Sequence, residues 1–333
     1  MADPDRPILV LGPTGGGKSE LAAALAFMLG GEIIGADSMQ IYRHMDAGTA
    51  KPSPALRRRV AHHLIDCIEP TERFTVADWL EIARAEIIHM HKRGVRPIIV
   101  GGTNLYIKAL TAGLFDGPPI DMTFRASLAQ TPSPKLHERL QRIDPVAASR
   151  IHPNDTKRLT RALEVFHTTG TPISVLQTQW DDSPDTRQST IGTRHFVAIG
   201  LRWPVDTINH RINVRVKDMF YPDKQTPQDR TTRWEPRSLP EEVEDLESRG
   251  MLGSQARKAL GYSQILTHLD GLWSLDEAFE RTKIATRRFA KQQRTWLRRM
   301  RDVHWLQASE RGKDQLAADG AEIIQAAEKV DLG

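Results

Sequence analysis

The sequence predicts an α/β protein: a P-loop NTPase-like core with a parallel β-sheet flanked by helices, and a mostly helical insertion. Three observations predict it. A short apolar run at residues 7–11 leads directly into a glycine-rich segment and a helical segment. Two further apolar runs, at 32–35 and 96–100, alternate with helical stretches, as strand–helix–strand units of a parallel sheet do. From residue 121 to 193 strand signals fade and helical patterns dominate.

Taken in order, residues 18–29 have helical composition, and Gly30 and Gly31 end the helix. The next strand is read at 32–35. Residues 76–92 are rich in helix formers and close at Gly94. The strand at 96–100 runs into Gly101-Gly-Thr103. Within the insertion, 156–167 is the clearest helix. Residues 196–201 look like one more core strand, and 221–240 reads as a polar, proline-rich surface loop. Ser274-Leu-Asp-Glu277 has the spacing of a capping box that opens a helix running to Met300. The expected organisation is a first part of the core at 1–120, the insertion at 121–193, completion of the core with basic helices at 194–310, and a tail at 311–333.

Composition narrows the class. With 39% apolar residues and 23 glycines in 333, the chain is ordinary globular material. Its longest apolar run, 21–29, is far short of the ~20 residues that span a bilayer. The N-terminal residues lack a basic-then-apolar leader. The single Cys67 excludes an internal disulfide or a multi-cysteine zinc site, and its apolar surroundings predict a buried, inert thiol. A soluble cytoplasmic protein is expected. The net charge is only +4, but the basic residues cluster late.

Gly12-Pro-Thr-Gly-Gly-Gly-Lys-Ser19 has the spacing G-x-x-x-x-G-K-[ST] between a strand and a helix. Gly12, Gly15, Gly16 and Gly17, with Pro13 and Thr14 between them, allow backbone N–H groups to turn toward phosphate oxygens. Lys18 supplies a cation and Ser19 a hydroxyl for Mg²⁺, at the positive end of a helix dipole. The strand at 96–100 ends in Gly-Gly-Thr, where ATPases usually carry an acidic residue, so ordinary ATP hydrolysis is not favoured. Asp37 follows the second strand, on the side where ligands of open parallel sheets bind. Spacing alone leaves a helix N-cap and a functional carboxylate equally open. Adjacent His62 and His63 have no partner at ligand spacing and read as structural.

No acidic residue falls between Arg281 and Met300. Lys283, Arg287, Lys291, Arg294, Arg298 and Arg301 form one helical stripe, with Ala285, Phe289, Trp296 and Met300 opposite. An apolar face packed on the protein and a basic face toward RNA phosphate are expected. Arg57-Arg-Arg59 reads as a solvated run.

Several segments together resemble one family, the bacterial tRNA dimethylallyltransferases, also called tRNA isopentenyltransferases. They are the glycine loop, Asp37-Ser-Met-Gln-Ile-Tyr42, Gly48-Thr-Ala-Lys-Pro52, His62-His-Leu-Ile-Asp66 and Gly101-Gly-Thr103, then Asp144-Pro-Val-Ala-Ala148, His152-Pro-Asn-Asp155, Arg161-Ala-Leu-Glu-Val165 and Gly261-Tyr262. The resemblance spans 7–306. It implies transfer of a dimethylallyl group from dimethylallyl diphosphate to N6 of the adenosine 3′ to the anticodon of tRNA, with Mg²⁺. It implies Asp37 as the base and Thr103 near the scissile oxygen and the tRNA, against a helix cap as the plainer role of Thr103. It implies tRNA contacts at Asp37, Ser38, Met39, Gln40, Arg125, Lys157, Arg158, Leu159, Thr160, Arg161 and Lys258, to which the charge stripe adds Arg287, Lys291 and Arg294. A monomer is expected. A nucleoside or other small-molecule kinase, and a non-enzymatic RNA-binding NTPase, are the alternatives on the same fold.

Overall fold

The computed structural model describes residues 6–115, 117–177, 196–222 and 237–330. The chain divides into two compact units, Met1–Ala109 with Thr193–Gly333, and Leu110–Gly192.

The first unit is built on a six-stranded, all-parallel sheet. Its strands are β1 (Ile8–Leu11), β2 (Gly31–Gly35), β3 (His62–His63), β4 (Arg96–Val100), β5 (Val197–Arg202) and β6 (Val303–Gln307), in the order β3-β2-β4-β1-β5-β6. β1 is central, with Leu9 in register with Ile99 on one side and Ala198 on the other. Its four residues are all buried, as an apolar run inside a parallel sheet must be. Helices α1 (Lys18–Leu29), α2 (Pro54–Arg59), α3 (Val76–Lys92) and α4 (Asn104–Ala112) fill the first crossovers. Gly30 ends α1 in a left-handed conformation at φ 65°, which suits a residue without Cβ. Thr75 and Asp78 form a reciprocal capping box at the start of α3.

The second unit is helical: α5 (Met122–Leu128), α6 (Ser133–Ile143), α7 (Pro145–Arg150), α8 (Thr156–Thr169) and α9 (Ile173–Leu176). Its core joins Phe124, Leu136, Leu140, Leu159 and Leu163. Two of the family-like segments do structural work here. Asp144 receives the Ala147 and Ser174 N–H groups at 2.8 and 2.9 Å, and Asp155 caps α8 through the Arg158 N–H. Glu164 is fully buried beneath Arg125 and Arg161, whose guanidiniums reach it at 2.7 and 2.6 Å.

The first unit is completed by α10 (Val205–Phe220), α11 (Leu239–Ser248), a 3₁₀ turn at Ala256–Lys258, α12 (Tyr262–Leu269), α13 (Leu275–Leu297) and α14 (Lys313–Val330). The predicted loop at 221–240 overruns its end. Ser238 and Glu241 form a capping box and α11 begins at Leu239, while 223–236 lie outside the described residues. α13 is shorter than expected, and only half of its capping box forms. Ser274 accepts from the Glu277 N–H, but the Glu277 carboxylate turns to Arg281 instead. The expected tail forms β6's following helix α14, whose Leu316, Ala317 and Ile324 join the sheet core with Leu21 and Leu25 of α1. Cys67 is exposed, not buried, because it lies in residues 65–69, which follow the edge strand β3 and of which none is buried. His63 does find acidic partners, Glu32 at 2.8 Å and Glu86 at 3.4 Å, brought by β2 and α3 rather than by sequence spacing. No described helix is long and apolar enough to cross a membrane.

Candidate active site

The glycine segment wraps the N-terminus of α1. Gly15 and Gly17 adopt left-handed φ values of 74° and 84°. The loop carbonyls are tied back to protein: Trp203 Nε1 donates to Gly16 O at 3.0 Å, Arg211 Nε to Gly15 O at 2.9 Å, and Lys18 Nζ to Pro13 O at 2.9 Å. A peptide N–H is trans to the carbonyl before it, so fixing Gly16 O outward turns the Gly17 N–H the other way. A cradle of this form suits phosphate oxygens.

Gln293, only 1% exposed, locks the loop from α13. Its Oε1 accepts from Thr14 N–H at 2.8 Å and its Nε2 donates to Gly102 O at 2.8 Å. Gly101 lies so close to Ala36 that a Cβ would stand 2.0 Å from its carbonyl oxygen, so only glycine fits that crossing.

Asp37 and Thr103 meet across that crossing. The Asp37 Oδ1 accepts from Met39 N at 2.9 Å and Gln40 N at 3.4 Å, closing a turn over 38–41. The capping role therefore exists, but on a turn rather than a helix. Thr103 opens α4 through its carbonyl, which receives Tyr106 N at 2.9 Å. Its side chain serves a different neighbour, the Ser38 N–H, at 3.0 Å. Gln40 braces the next loop by donating to Thr49 O at 3.0 Å.

Asp37, Ser38, Met39, Thr14, Thr103 and Lys258 line one cavity of about 660 Å³. Arg215 of α10 lines it too. Burial, and next the Arg215 charge, push the Lys18 ammonium down to about 8, against partial support from Asp37 and Glu20. Burial lowers Arg215 as well. Lys18 and Arg215 are thus two poorly solvated cations that disfavour each other's charge, an arrangement that a bound anion would stabilise.

Gly48 lines the cavity, and Leu260 and Gln264, on either side of Gly261-Tyr262, line it as well. Tyr262 packs against Gly48 so tightly that a Cβ there would lie 2.3 Å from the ring. Buried Glu242 accepts the Asp46 and Ala47 N–H groups at 2.9 and 2.8 Å and the Tyr262 hydroxyl. Burial pushes the Glu242 carboxyl up. Lys51, with a side chain 3% exposed, bridges Tyr42 O, Asp46 and Asp66 at 2.6, 2.8 and 2.5 Å.

Other expected residues are dispersed. Ser19 is exposed on the first turn of α1. Arg125 and the 157–161 segment belong to the second unit. There Leu159 is fully buried in the helical core, so it supports α8 instead of contacting a ligand. Arg125 and Arg161 are paired with Glu164.

The basic helix is rotated from the expected orientation. α13 buries Ala278, Thr282, Ala290, Gln293 and Leu297, so neither predicted face is the packed one. Ala285 and Phe289 border the cavity instead of the core, together with Arg281 and Arg288. In the stripe, Lys291 and Arg298 are exposed, Arg287 bonds Asn213 at 2.8 Å, and Lys283 pairs with Glu280. Burial lowers half-buried Arg294. Arg301 lies beyond the end of the helix. Sequence reading missed Arg215, Gln293, Trp273, Arg281 and Arg288. Only the polar Gln293, at a position a helix would need to bury, carried a signal.

Strand, glycine cradle and helix N-terminus in this order, with half-buried Lys18 and Arg215 beside a carboxylate, define a phosphate-loop α/β protein. The chain belongs to the IPP transferase family, whose profile matches residues 40–300. It is 42% identical over 307 residues to the tRNA dimethylallyltransferase of Geobacter sulfurreducens, covering 90% of this chain and 91% of that protein. It is 40% identical over 324 residues to the tRNA dimethylallyltransferase of Geobacillus kaustophilus, covering 96% and 95%. Among solved structures, it is similar to the full-length tRNA isopentenylpyrophosphate transferase of Bacillus halodurans, with TM-score 0.68, 33% identity, and 99% and 100% coverage. It is also similar to a eukaryotic dimethylallyltransferase acting on tRNA, with TM-score 0.72, 26% identity, and 91% and 73% coverage.

Proposed function

We propose that the chain transfers a dimethylallyl group from dimethylallyl diphosphate to N6 of the adenosine 3′-adjacent to the anticodon in tRNA, releasing diphosphate. The observation that carries this reading is that Asp37 and Thr103 line one cavity with Thr14 of the phosphate loop, in a member of the IPP transferase family.

The chemistry asks for these groups. An adenine N6 amine is a weak nucleophile, because its lone pair is delocalised into the ring. As the N6–C1 bond forms and the C1–O bond breaks, Asp37 takes the N6 proton and the diphosphate leaves with the C1–O electron pair. Asp37 Oδ1 is already oriented by the Met39 and Gln40 N–H groups. Lys18, Arg215 and the loop N–H groups hold the leaving charge. Thr103 fixes Ser38, and through it the Asp37 turn. The exposed Lys291 and Arg298 of α13, with exposed Lys258, supply RNA phosphate contacts.

Mg²⁺ fits the donor set at Ser19. No group of three or more His, Cys, Asp or Glu is arranged to hold a metal among the described residues. A single hydroxyl at a phosphate loop suits an ion that keeps most of its waters and leans on diphosphate oxygens. When bound there, the ion offsets charge on the leaving group. The reading carries with it a monomer acting in the cytoplasm.

The test is mass analysis of nucleosides from tRNA treated with protein, Mg²⁺ and dimethylallyl diphosphate. Prenylated adenosine is expected. Transfer of phosphate from labelled ATP without prenylation would replace this reading with a kinase.

A further inference from the structure

Trp273 and Arg281 form a cation–π pair at the cavity that the diphosphate chemistry leaves unused. The Arg281 guanidinium sits 4.3 Å from the centroid of the Trp273 ring. Its Nε and Nη2 donate to Glu277 Oε1 at 2.9 and 2.8 Å, which fixes a side chain that is otherwise 51% exposed. The Trp273 backbone is held in turn, its carbonyl bonded to His268 Nδ1 at 2.9 Å. Both residues line the same cavity as Asp37, Met39 and Lys258.

A phosphate contact needs only a cation. A guanidinium held over an indole by a carboxylate is more specific: it is flat, cationic and pre-oriented. Such a surface recognises other flat rings, and single-stranded RNA is commonly gripped by stacking on aromatic and arginine planes. Chemistry on N6 requires the adenosine to leave its stack, which exposes the faces of the flanking bases as well.

We propose that the Trp273–Arg281 pair is a stacking platform for a nucleobase flanking the adenosine that enters the cavity, continuing the stack on the free face of the guanidinium. This inference rests on the RNA-modifying reading above, and adds to it a specificity element on the cavity face of α13, distinct from the 283–298 stripe.

The test is a binding cycle with labelled anticodon stem-loop RNA, read by fluorescence anisotropy in full-length protein. The RNAs are intact or abasic on one or other side of the target adenosine. Wild type should lose about tenfold in affinity for one of the abasic RNAs, in line with the strength of base stacking. Trp273→Ala and Arg281→Lys should each lose about tenfold for intact RNA, and lose little more for that abasic RNA. Lysine keeps the charge and removes the plane. Trp273→Phe keeps a plane and a packed site, so it should retain most of the affinity, and KM for dimethylallyl diphosphate should stay within about twofold in all variants. The proposal is overturned if Arg281→Lys binds like wild type, if mutant and abasic losses multiply, or if folded Trp273→Phe and Trp273→Ala are indistinguishable from wild type. Failure of wild type to prenylate RNA would sink the proposed function, while the binding cycle would still decide on the stack.

Discussion

Replacing Gln293 with leucine isolates the link between α13 and the phosphate loop. The two side chains are similar in size, so the substitution leaves no large cavity. It does remove both hydrogen bonds, leaving the Thr14 N–H and the Gly102 carbonyl without their 2.8 Å partners. Each bond is worth about 1 kcal/mol net, and an orphaned buried group costs about 1–3 kcal/mol. Thr14 and Gly102 are only half-buried, so water recovers part of the loss. A destabilisation of about 2 kcal/mol is expected, read as a lower denaturant midpoint at constant m. The loop also loses its register against Gly101-Gly-Thr103. If half of that energy had been holding the loop ready for diphosphate, KM for dimethylallyl diphosphate rises about fivefold to tenfold, while KM for RNA changes little. Gln293→Glu keeps the acceptor for Thr14 but sets a carboxylate against Gly102 O and beside the anion site, so it should be worse than leucine for diphosphate. A leucine variant with unchanged midpoint and unchanged diphosphate KM would refute the bracing role.

Three other outcomes follow from particular contacts. Lys18, lowered to about 8 by burial and by Arg215, is charged below that pH and neutral above it. Diphosphate affinity in the free protein should therefore fall by up to about tenfold per pH unit above 8, and Lys18→Arg should abolish that inflection, as binding titrations from pH 7 to 9.5 would report. Gly48→Ala should lose about 1–3 kcal/mol in thermal or chemical unfolding, because its Cβ would meet the Tyr262 ring at 2.3 Å. Glu164 is pushed up by burial, but Arg125 and Arg161 outweigh burial and hold its carboxyl below the usual carboxylate range. Its contribution is present above the unfolded value and is lost as pH falls through the lower folded value. Glu164→Gln should cost about 3 kcal/mol at pH 7 and less in acid, when stability is followed against pH.

The parts of the fold that were legible in the sequence are those with local causes. Helix α1 and α3 matched residue for residue, because glycines in left-handed conformations end them and a threonine capping box starts α3. The phosphate loop was legible because its spacing is set by one strand–loop–helix connection, whereas spacing left the role of Asp37 open and Thr103 was singled out by the family resemblance alone. What escaped depended on contacts between distant elements. β6 is short, and Val303 and Trp305 are only half-buried, so no apolar run announced it. α13 misled because its buried face carries Thr282 and Gln293, polar groups satisfied inside the protein, while Phe289 borders a cavity. The apolar residues pointed at the opening rather than at the core. Arg215 and Trp273 look like ordinary helix and loop residues until the sheet and α13 bring them to Asp37. Leu159 shows the converse, since a residue that the family resemblance assigned to tRNA contact has a side chain that is entirely core.

The most direct test of the central claim is a crystal structure with a non-hydrolysable thio analogue of dimethylallyl diphosphate and an anticodon stem-loop. The diphosphate should sit on the 12–19 loop with an oxygen near Lys18 Nζ, and an Asp37 carboxylate oxygen should lie about 2.6–3.2 Å from the adenine N6. A diphosphate seated away from that loop, or an Asp37 carboxylate bonded only to its own turn with N6 out of reach, would contradict it.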